Sequence, residues 1–195
     1  MITFSDATKD IQNRFGCGKL AERMVQHVFH QEFTDKDRAF ISNAMFFFLA
    51  TVDANGQPQC SYKGGGKGFV KVTGPSELVF PFYEGNGMYM SAGNIAAMGK
   101  IGLLFVDFEG QTRIRVNGVA RIDDDHAMND EVSAAQLVVR LAVSDIHPNC
   151  SRNVHKMQMV ETSSYTPKSD AENVVAAPWG ERFTDVLPDF MKSRD

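Results

Sequence analysis

Ser91, Gly93 and Asn94 are the residues of this chain whose types and spacing best fit a chemical role. They open a short helix predicted over 91–98, directly after a glycine-rich loop at 83–89. The first turn of a helix has backbone N–H groups without acceptors, and the helix dipole makes that end positive. Phosphate groups are the anions most often bound there. The sequence therefore predicts a site for a phosphorylated ligand.

Hydroxyl and basic side chains on the neighbouring predicted strands are candidates for the same site. Ser61 and Lys63 precede the loop, and Arg113 and Arg115 follow it. Each pair is two residues apart and so shares one face of its strand. We expect these four side chains to converge with Ser91 on one ligand. The simpler interpretation is a solvated lysine, two surface arginines and a serine that caps a helix.

The first part of the chain, residues 1–43, is predicted to be a helical segment. Ser5 or Asp6 is expected to cap a first helix, which the Gly16–Gly18 break ends. Apolar residues at helical spacing predict a second helix. Thr34, with Asp37 three residues later, has the spacing of a capping box for a third helix that ends near residue 43.

A strand pattern follows, and it predicts a mainly β (α+β) protein with an antiparallel barrel over residues 44–160. Residues 44–52 are continuously apolar, which predicts a strand buried on both faces. Asn55-Gly56 marks the hairpin turn after it. Further strands are predicted at 57–63, 69–72, 77–82, 101–108, 113–122 and 135–146. Residues 123–131 are expected to form a connector, and 161–195 an extended tail anchored by Trp179 and Leu187, on the barrel or on a partner subunit.

Charge and hydropathy exclude several classes of function. The chain has 195 residues, 43% hydrophobic and 23% charged, with a net charge of -4 and no block of Lys or Arg. Nucleic-acid binding needs a concentrated basic surface, so we expect none. No apolar run approaches the ~20 residues of a membrane helix, and the N-terminus has no signal pattern. We therefore expect a cytoplasmic protein without a membrane segment.

Thiol and imidazole groups give a weaker signal. The three cysteines are odd in number and widely spaced, which fits neither a disulfide framework nor a paired zinc motif. His147, Cys150 and His155 could form a nucleophile–base pair or a metal site. Because no second ligand pair accompanies them, we expect a structural or interface role and no metal. His27, His30 and His126, in polar surroundings, are expected to be exposed.

Motifs of protein-based catalysis are missing from the sequence. It has no paired catalytic carboxylates, no GxSxG elbow, no Walker loop and no GxGxxG after a strand. That absence favours a cofactor that carries out its own chemistry, with the protein supplying its orientation and electrostatics. The catalytic residues, if any, are not predicted.

A series of short motifs resembles the pyridoxamine 5'-phosphate oxidase-like flavoproteins. The motifs cover nearly the whole chain, and the last three resemble one bacterial subgroup of the family. They are Phe48–Asp53 with Gly56-Gln57-Pro58, Ser61–Gly65, Gly68-Phe69-Val70, Gly85–Met88, Ser91-x-Gly93-Asn94-Ile95, Gly102–Phe108, Arg115-x-Asn117-Gly118, Pro148-Asn149-Cys150-x-Arg152-x-x-His155, Gln12-x-Arg14-Phe15-Gly16 and Trp179…Leu187-Pro188.

The resemblance implies a split antiparallel β-barrel, a homodimer, and FMN bound in a groove at the dimer interface. It implies an oxidoreductase whose substrate and electron donor are unknown. Which subunit supplies Arg152, His155 and the tail to each site stays open. The oxidases carry an Arg-Lys pair where this chain has Met90-Ser91, so we expect either weaker phosphate binding or a phosphate held more by N–H groups.

Twelve positions match the cofactor-binding positions implied by the resemblance. Hydroxyl and basic groups are expected to hold the phosphate, while apolar and loop residues are expected to supply backbone contacts and a wall to the flavin ring. The twelve are Ser61, Tyr62, Lys63, Phe69, Val70, Asn86, Met88, Ser91, Gly93, Asn94, Arg113 and Arg115.

Three alternatives remain open from the sequence. The same fold can hold FAD, a deazaflavin or haem in place of FMN. The protein can also bind flavin without turnover, as a storage or stress-related protein. Finally, the barrel can be a structural or interaction module with an empty groove.

Overall fold

The computed structural model describes residues 3–123, 135–167 and 178–192. Four helices and seven strands make up its regular structure. The helices are α1 (Asp6–Arg14), α2 (Gly18–Val28), α3 (Asp35–Asn43) and α4 (Met90–Met98). The strands are β1 (Phe46–Val52), β2 (Pro58–Gly64), β3 (Lys71–Gly74), β4 (Glu77–Phe82), β5 (Lys100–Asp107), β6 (Thr112–Asp123) and β7 (Leu137–Pro148).

Side-chain caps fix the starts of two of the N-terminal helices, as predicted. The Ser5 hydroxyl accepts a hydrogen bond from the Thr8 amide at the start of α1. At α3, Thr34 and Asp37 form a complete capping box: the Asp37 amide donates to Thr34 Oγ1, and the Thr34 amide donates to Asp37 Oδ2. Each cap satisfies N–H groups that the helix itself leaves free.

The seven strands form one antiparallel sheet in the order β2-β1-β5-β6-β7-β4-β3. Neighbouring hairpins are joined by tight turns, and the predicted turn at Asn55-Gly56 is confirmed: Asp53 Oδ1 accepts from the Asn55 and Gln57 amides, and Gly56 has φ +83°. The prediction of a mainly β, α+β protein with antiparallel strands is confirmed.

The core lies on the inner face of the sheet and is centred on Phe47. The ring of Phe47 is fully buried and contacts the rings of Phe69, Phe80 and Phe105, with centroids 5.1–5.7 Å apart. Aromatic contacts at this spacing add to the stabilisation from burial alone. The strands that surround the site are therefore fixed by a dense aromatic core.

The prediction that β1 is buried on both faces is wrong for the single chain. Phe47, Leu49 and Thr51 are buried, whereas Phe46 and Phe48 are half-buried and Ala50 is exposed. Burial therefore alternates along β1, as in a strand with only one face against the core.

The strand predicted at 69–72 begins two residues later, at Lys71. The Phe69 amide donates to the Gly66 carbonyl, and Gly68 has φ +78°, so residues 66–69 form a tight turn. This turn buries Phe69 and Val70 in the core before the strand starts. The other predicted strands are confirmed, with boundaries shifted by up to two residues.

After β7 the chain runs back across the barrel without regular structure. Gln111 Nε2 donates to the Val154 carbonyl at 2.7 Å, and the Met157 amide donates to the Phe108 carbonyl at 3.3 Å. Near the C-terminus are two short 3₁₀ helices, Pro178–Phe183 and Asp189–Met191. Met191 is buried and packs on Gly87, whereas the predicted anchor Leu187 is half-buried. The side chain of the other predicted anchor, Trp179, and the whole of His126 lie outside the described residues.

Candidate functional site

Two serine hydroxyls meet at the start of α4. Ser61 lies on β2 opposite Leu49 and therefore on the inner face of the sheet. Ser91 lies in the first turn of α4, and its Oγ is 3.3 Å from Ser61 Oγ. One hydroxyl donates to the other, which leaves one O–H group free to donate to a ligand. The predicted convergence of Ser61 and Ser91 is confirmed.

The N-terminus of α4 has no side-chain cap. Its N-cap residue Tyr89 has left-handed backbone angles, φ 47° and ψ 25°, which are uncommon outside glycine. The Tyr89 hydroxyl donates to Gln136 Oε1 at 2.7 Å, and this bond ties the turn to the start of β7. The first amides of α4 therefore keep the partial positive charge of the helix end. Tyr89 and Gln136 were missed, because 47 residues separate them and no local pattern links them.

The Asn94 side chain and the Gly93 amide both bond to groups of the protein itself. Asn94 Nδ2 donates to the hydroxyl of buried Thr51 at 3.0 Å, which fixes α4 against β1. The Gly93 amide donates to the Tyr89 carbonyl at 2.8 Å within the helix. Asn94 therefore positions the helix, and the amides left without an intrahelical acceptor are those of residues 90–92. We call these amides, with the Ser61 and Ser91 hydroxyls, the hydroxyl–amide cradle.

Lys63 lies two residues beyond Ser61 on the same inner face. Its Nζ is 4.3 Å from the centroid of the Phe82 ring, a cation–π contact. Burial lowers the pKa of the Lys63 ammonium. Within the described part of the chain no carboxylate pairs with it. Lys63 is thus a partly desolvated cation without a counter-charge.

A cleft of about 330 Å³ opens beside Lys63 at the edge strand β2. The barrel side is lined by polar and aromatic groups, and burial raises the pKa of the Tyr83 hydroxyl. The segment 159–167 lines the opposite side. The lining residues used below are Tyr62, Lys63, Gly65, Tyr83, Glu84 and Glu161. The cleft is large enough for a small organic molecule.

Gly65 is required at the floor of this cleft. A Cβ atom built on Gly65 would overlap the ring of Phe69. Phe69 is in turn stacked on Phe47, at 5.7 Å between centroids. The family resemblance implies backbone contacts and an apolar wall to a flavin ring from Phe69 and Val70, and the side chains of both residues belong to the core. Only their backbone atoms are available to a ligand.

Tyr62 and the two predicted arginines lie on the outer face of the sheet. Tyr62 is 60% exposed and stacks on Phe46 with centroids 5.4 Å apart. Arg113 Nη2 donates to the Cys150 carbonyl at 2.9 Å, and exposed Arg115 lies directly across from His147 of β7. Within one chain the structure therefore does not bring Arg113 and Arg115 to the cradle.

Asn86 and Met88 form the exposed part of the glycine-rich loop. Asn86 Oδ1 accepts from the Met88 amide at 3.1 Å, the geometry of an Asx turn. The Met88 side chain is 61% exposed. Both residues are accessible to a ligand, but neither is held toward the cradle.

The histidine and cysteine residues near the end of β7 do not come together. His147 is buried against Asp145, whereas Cys150 and His155 are exposed. No group of three His, Cys, Asp or Glu side chains in the described ranges is arranged to hold a metal ion. The prediction that His30 is exposed is wrong, because its Nε2 lies 2.9 Å from Asp37 Oδ2 and the residue is half-buried. None of the described helices is long and apolar enough to cross a membrane.

Comparison with known protein families identifies the family to which this chain belongs. The family model described as pyridoxamine 5'-phosphate oxidase matches residues 33–163, which is more than half of the chain. The protein therefore belongs to the pyridoxamine 5'-phosphate oxidase family, and its fold is a split antiparallel β-barrel of that family. The match covers the cradle, both faces of the sheet and the barrel side of the cleft. No curated protein matches the chain.

Solved structures with the same architecture include three whose names differ. A variant of HupZ from Group A Streptococcus is 24% identical, with a TM-score of 0.50, over 60% of this chain and 98% of that one. A candidate pyridoxamine 5'-phosphate oxidase from Lactobacillus delbrueckii is 29% identical, with a TM-score of 0.47, over 60% and 94%. An FAD-binding protein from Mycobacterium smegmatis is 16% identical, with a TM-score of 0.42, over 62% and 97%. At these levels the similarity concerns the fold.

Proposed function

We propose that this protein binds FMN and uses it as a flavin-dependent oxidoreductase. The observation that carries the proposal is the hydroxyl–amide cradle. Ser61 and Ser91 meet 3.3 Å apart at a helix end whose amides have no side-chain cap. Such an end binds a phosphate group without further cations. The family match supports a phosphorylated cofactor at this position.

The cradle fits a phosphate in its donors and in its space. A phosphate monoester offers three acceptor oxygens and about two negative charges. The free hydroxyl and the amides of residues 90–92 supply donors, and nothing lies within 4 Å of a Cβ built on Gly93, so the helix start is open. The missing Arg-Lys pair leaves Lys63 as the predicted cation on the same face of the sheet as Ser61. We therefore expect weaker binding than in a site with two basic residues.

The remaining part of the cofactor would extend toward the cleft beside Lys63. FMN, when bound, supplies hydride and single-electron transfer. Tyr83, Glu84 and the backbone near Gly65 line the cleft and would orient the ring and a small substrate there. The segment 159–167 limits solvent access from the other side. In this proposal the residues of the chain bind and orient the cofactor and the substrate, and no side chain is assigned a chemical step.

We further propose that the complete site forms between two copies of the chain. The cradle lies on the inner face of the sheet, whereas Tyr62, Arg113 and Arg115 lie on the outer face. A second copy would bring its own outer face to the cradle of the first and would cover the half-exposed rings of Phe46 and Tyr62. The unburied outer face of β1 supports this arrangement.

An absorption spectrum of the purified protein is the first test, followed by heat release and chromatography of any chromophore. Flavin bands with released FMN are the expected result. Released FAD, a deazaflavin spectrum or a Soret band would leave the fold assignment unchanged and would identify a cofactor other than FMN. FMN that binds but is never reduced by NAD(P)H or reoxidised by oxygen would favour a non-catalytic flavin-binding protein. A colourless protein that ignores added FMN would overturn the proposal.

Replacing both serines should weaken FMN binding about 10- to 100-fold, since a hydrogen bond to a charged group contributes roughly 1.5–3 kcal/mol. The Ser61→Ala/Ser91→Ala variant is titrated with FMN and followed by flavin fluorescence. Ser42→Ala is the control, because Ser42 is exposed on α3 and bonds only to the Ala39 carbonyl within its helix. Equal affinities for the double variant and the wild type would place the phosphate elsewhere.

A further inference from the structure

The helical hairpin formed by α1 and α2 is followed directly by Phe29 and His30, which contact β7. No residue of α1 or α2 is buried, and Phe15 and Leu20 are 70% and 62% exposed. Isolated helices of 9 and 11 residues are marginal in water. The position of this hairpin therefore depends on the attachment that follows α2.

That attachment covers the free edge of β7. Only the first half of β7 pairs with β4, so the residues from Ser144 onward have a strand on one side alone. His30 fills the other side: its amide donates to the Ile146 carbonyl at 3.0 Å, and the Ile146 amide donates to the His30 carbonyl at 2.7 Å. Gln31 Nε2 adds a bond to the Ser144 carbonyl at 3.1 Å. Covering an edge in this way prevents pairing with another chain.

A buried imidazole lies directly beneath the attachment. The His147 ring stacks on Phe29 with centroids 4.0 Å apart and is 8% exposed. Its Nδ1 is shielded from solvent and lies 3.2 Å from Asp145 Oδ1, without satisfactory hydrogen-bond geometry. Asp145 already accepts from Asn117 Nδ2 and from the Ser144 hydroxyl, each at 2.9 Å. Burial of the imidazole disfavours its charged form, and the Asp145 carboxylate opposes this effect.

We propose that His147 and Phe29 form a pH-sensitive latch, in which protonation of His147 releases the helical hairpin and uncovers the edge of β7. Phe29 and His30 on one side, and Ile146 and His147 on the other, make up this latch. The occupant of the edge at neutral pH is the chain's own His30 segment. Acidification exposes the backbone groups of Ser144 and Ile146.

The charges around His147 set the direction of the effect. Burial lowers the pKa of His147, Arg115 on β6 and His30 lower it further, and Asp145 opposes them. His30 is itself paired with Asp37 of α3. When Phe29 leaves, the imidazole is hydrated and its pKa returns toward about 6.5. The released form then binds more protons than the latched form. The equilibrium constant for latching therefore decreases as pH falls below about 6.5, by at most about tenfold per pH unit.

Hydrogen exchange of the two bridging amides tests the latch in the full-length protein. Protection factors of the His30 and Ile146 amides are measured by NMR between pH 8 and pH 5, corrected for the intrinsic exchange rate. Below about pH 6.5 we expect both to fall together, by up to about tenfold per pH unit, while β5 amides such as Phe105 keep their protection. Protection that does not change with pH in the wild type would overturn the proposal.

Variants identify the titrating group. His147→Phe keeps a ring for Phe29 to stack on, and His147→Gln keeps a polar neutral side chain; in each, the pH dependence should disappear. His27→Gln, which removes a histidine from the last turn of α2, should retain it, and so should His30→Gln. Protection of the β5 amides shows that each variant is folded. A pH dependence that persists without His147, or that is lost with His30→Gln alone, assigns the effect to another group and rejects the latch.

Discussion

The two faces of strands β1 and β2 have opposite characters, although their residues alternate along the same chain. The inner face carries Phe47, which is fully buried, and Ser61, which lies at the helix end. The outer face carries half-buried Phe48, exposed Ala50 and Tyr62, whose ring is 60% exposed. One face is buried within a single chain, and the other is partly exposed.

This difference separates residues that are adjacent in sequence into two surfaces. Ser61 and Tyr62 are consecutive, yet a strand directs their side chains to opposite sides of the sheet. A residue on the inner face should act through the core or the cradle of its own chain. A residue on the outer face should act only when a second copy is present. Substitutions on each face can therefore distinguish the two roles.

Phe47→Ala should have the largest effect. Removing a fully buried phenylalanine costs about 3–5 kcal/mol, because the ring contacts with Phe69, Phe80 and Phe105 are lost and a cavity remains. Phe48→Ala, its neighbour on the outer face, should cost less in dilute solution and more as protein concentration rises. Urea unfolding at two protein concentrations measures both. Equal, concentration-independent losses would contradict the contrast between the faces.

Ala50→Glu should abolish dimer formation with little effect on the fold of one chain. Ala50 is exposed on β1 and lies opposite Cys60 and Gly102, so a carboxylate there is hydrated in a monomer and is buried against a second copy. Sedimentation equilibrium gives the mass, and FMN titration gives the affinity. We expect loss of the dimer together with weaker FMN binding. Ser42→Glu, at an exposed position of α3, is the control. A variant that stays dimeric would exclude this face as the interface.

Local signals in the sequence were sufficient for the fold. The capping box at Thr34, the turn at Gly56 and the strand at 113–122 each depend on a few neighbouring residues, and each prediction is confirmed. The error at β1 has a clear reason. A continuous apolar run such as 44–52 has the same composition whether its second face meets its own chain or another molecule, so it does not reveal what covers that face.

The candidate site was predicted in part, for a related reason. Spacing shows which residues share a strand face, but not which faces meet. The structure brings the Ser61 and Ser91 hydroxyls together, whereas Arg113 and Arg115 lie on the outer face of β6. Contacts between distant segments were not predictable: Tyr89 with Gln136, and Phe29 with His147, leave no local pattern. The full set of twelve cofactor residues stays a prediction.

Lys63→Met should have the smallest effect on stability and should separate binding from folding on the inner face. Because burial lowers the pKa of Lys63, the charged side chain is less favourable in the folded protein than in the unfolded chain. Methionine keeps the apolar stem and removes this cost, offset by the lost contact with Phe82. We expect Tm to rise by about 1–2 °C at pH 7, while FMN binding weakens about three- to tenfold.

The pH dependence of the Tm difference between Lys63→Met and the wild type tests whether burial of the ammonium causes that difference. Between the lowered pKa and the usual lysine value near 10.5, the unfolded chain binds a proton that the folded chain has lost, so wild-type stability gains with pH from this group. The Tm advantage of Lys63→Met should therefore shrink between pH 8 and pH 10.5. Lys67→Met, at an exposed position on the loop that follows β2, should show neither the advantage nor its loss. An advantage that grows with pH would mean that the ammonium of Lys63 stabilises the fold, and its place in the cleft would then be structural.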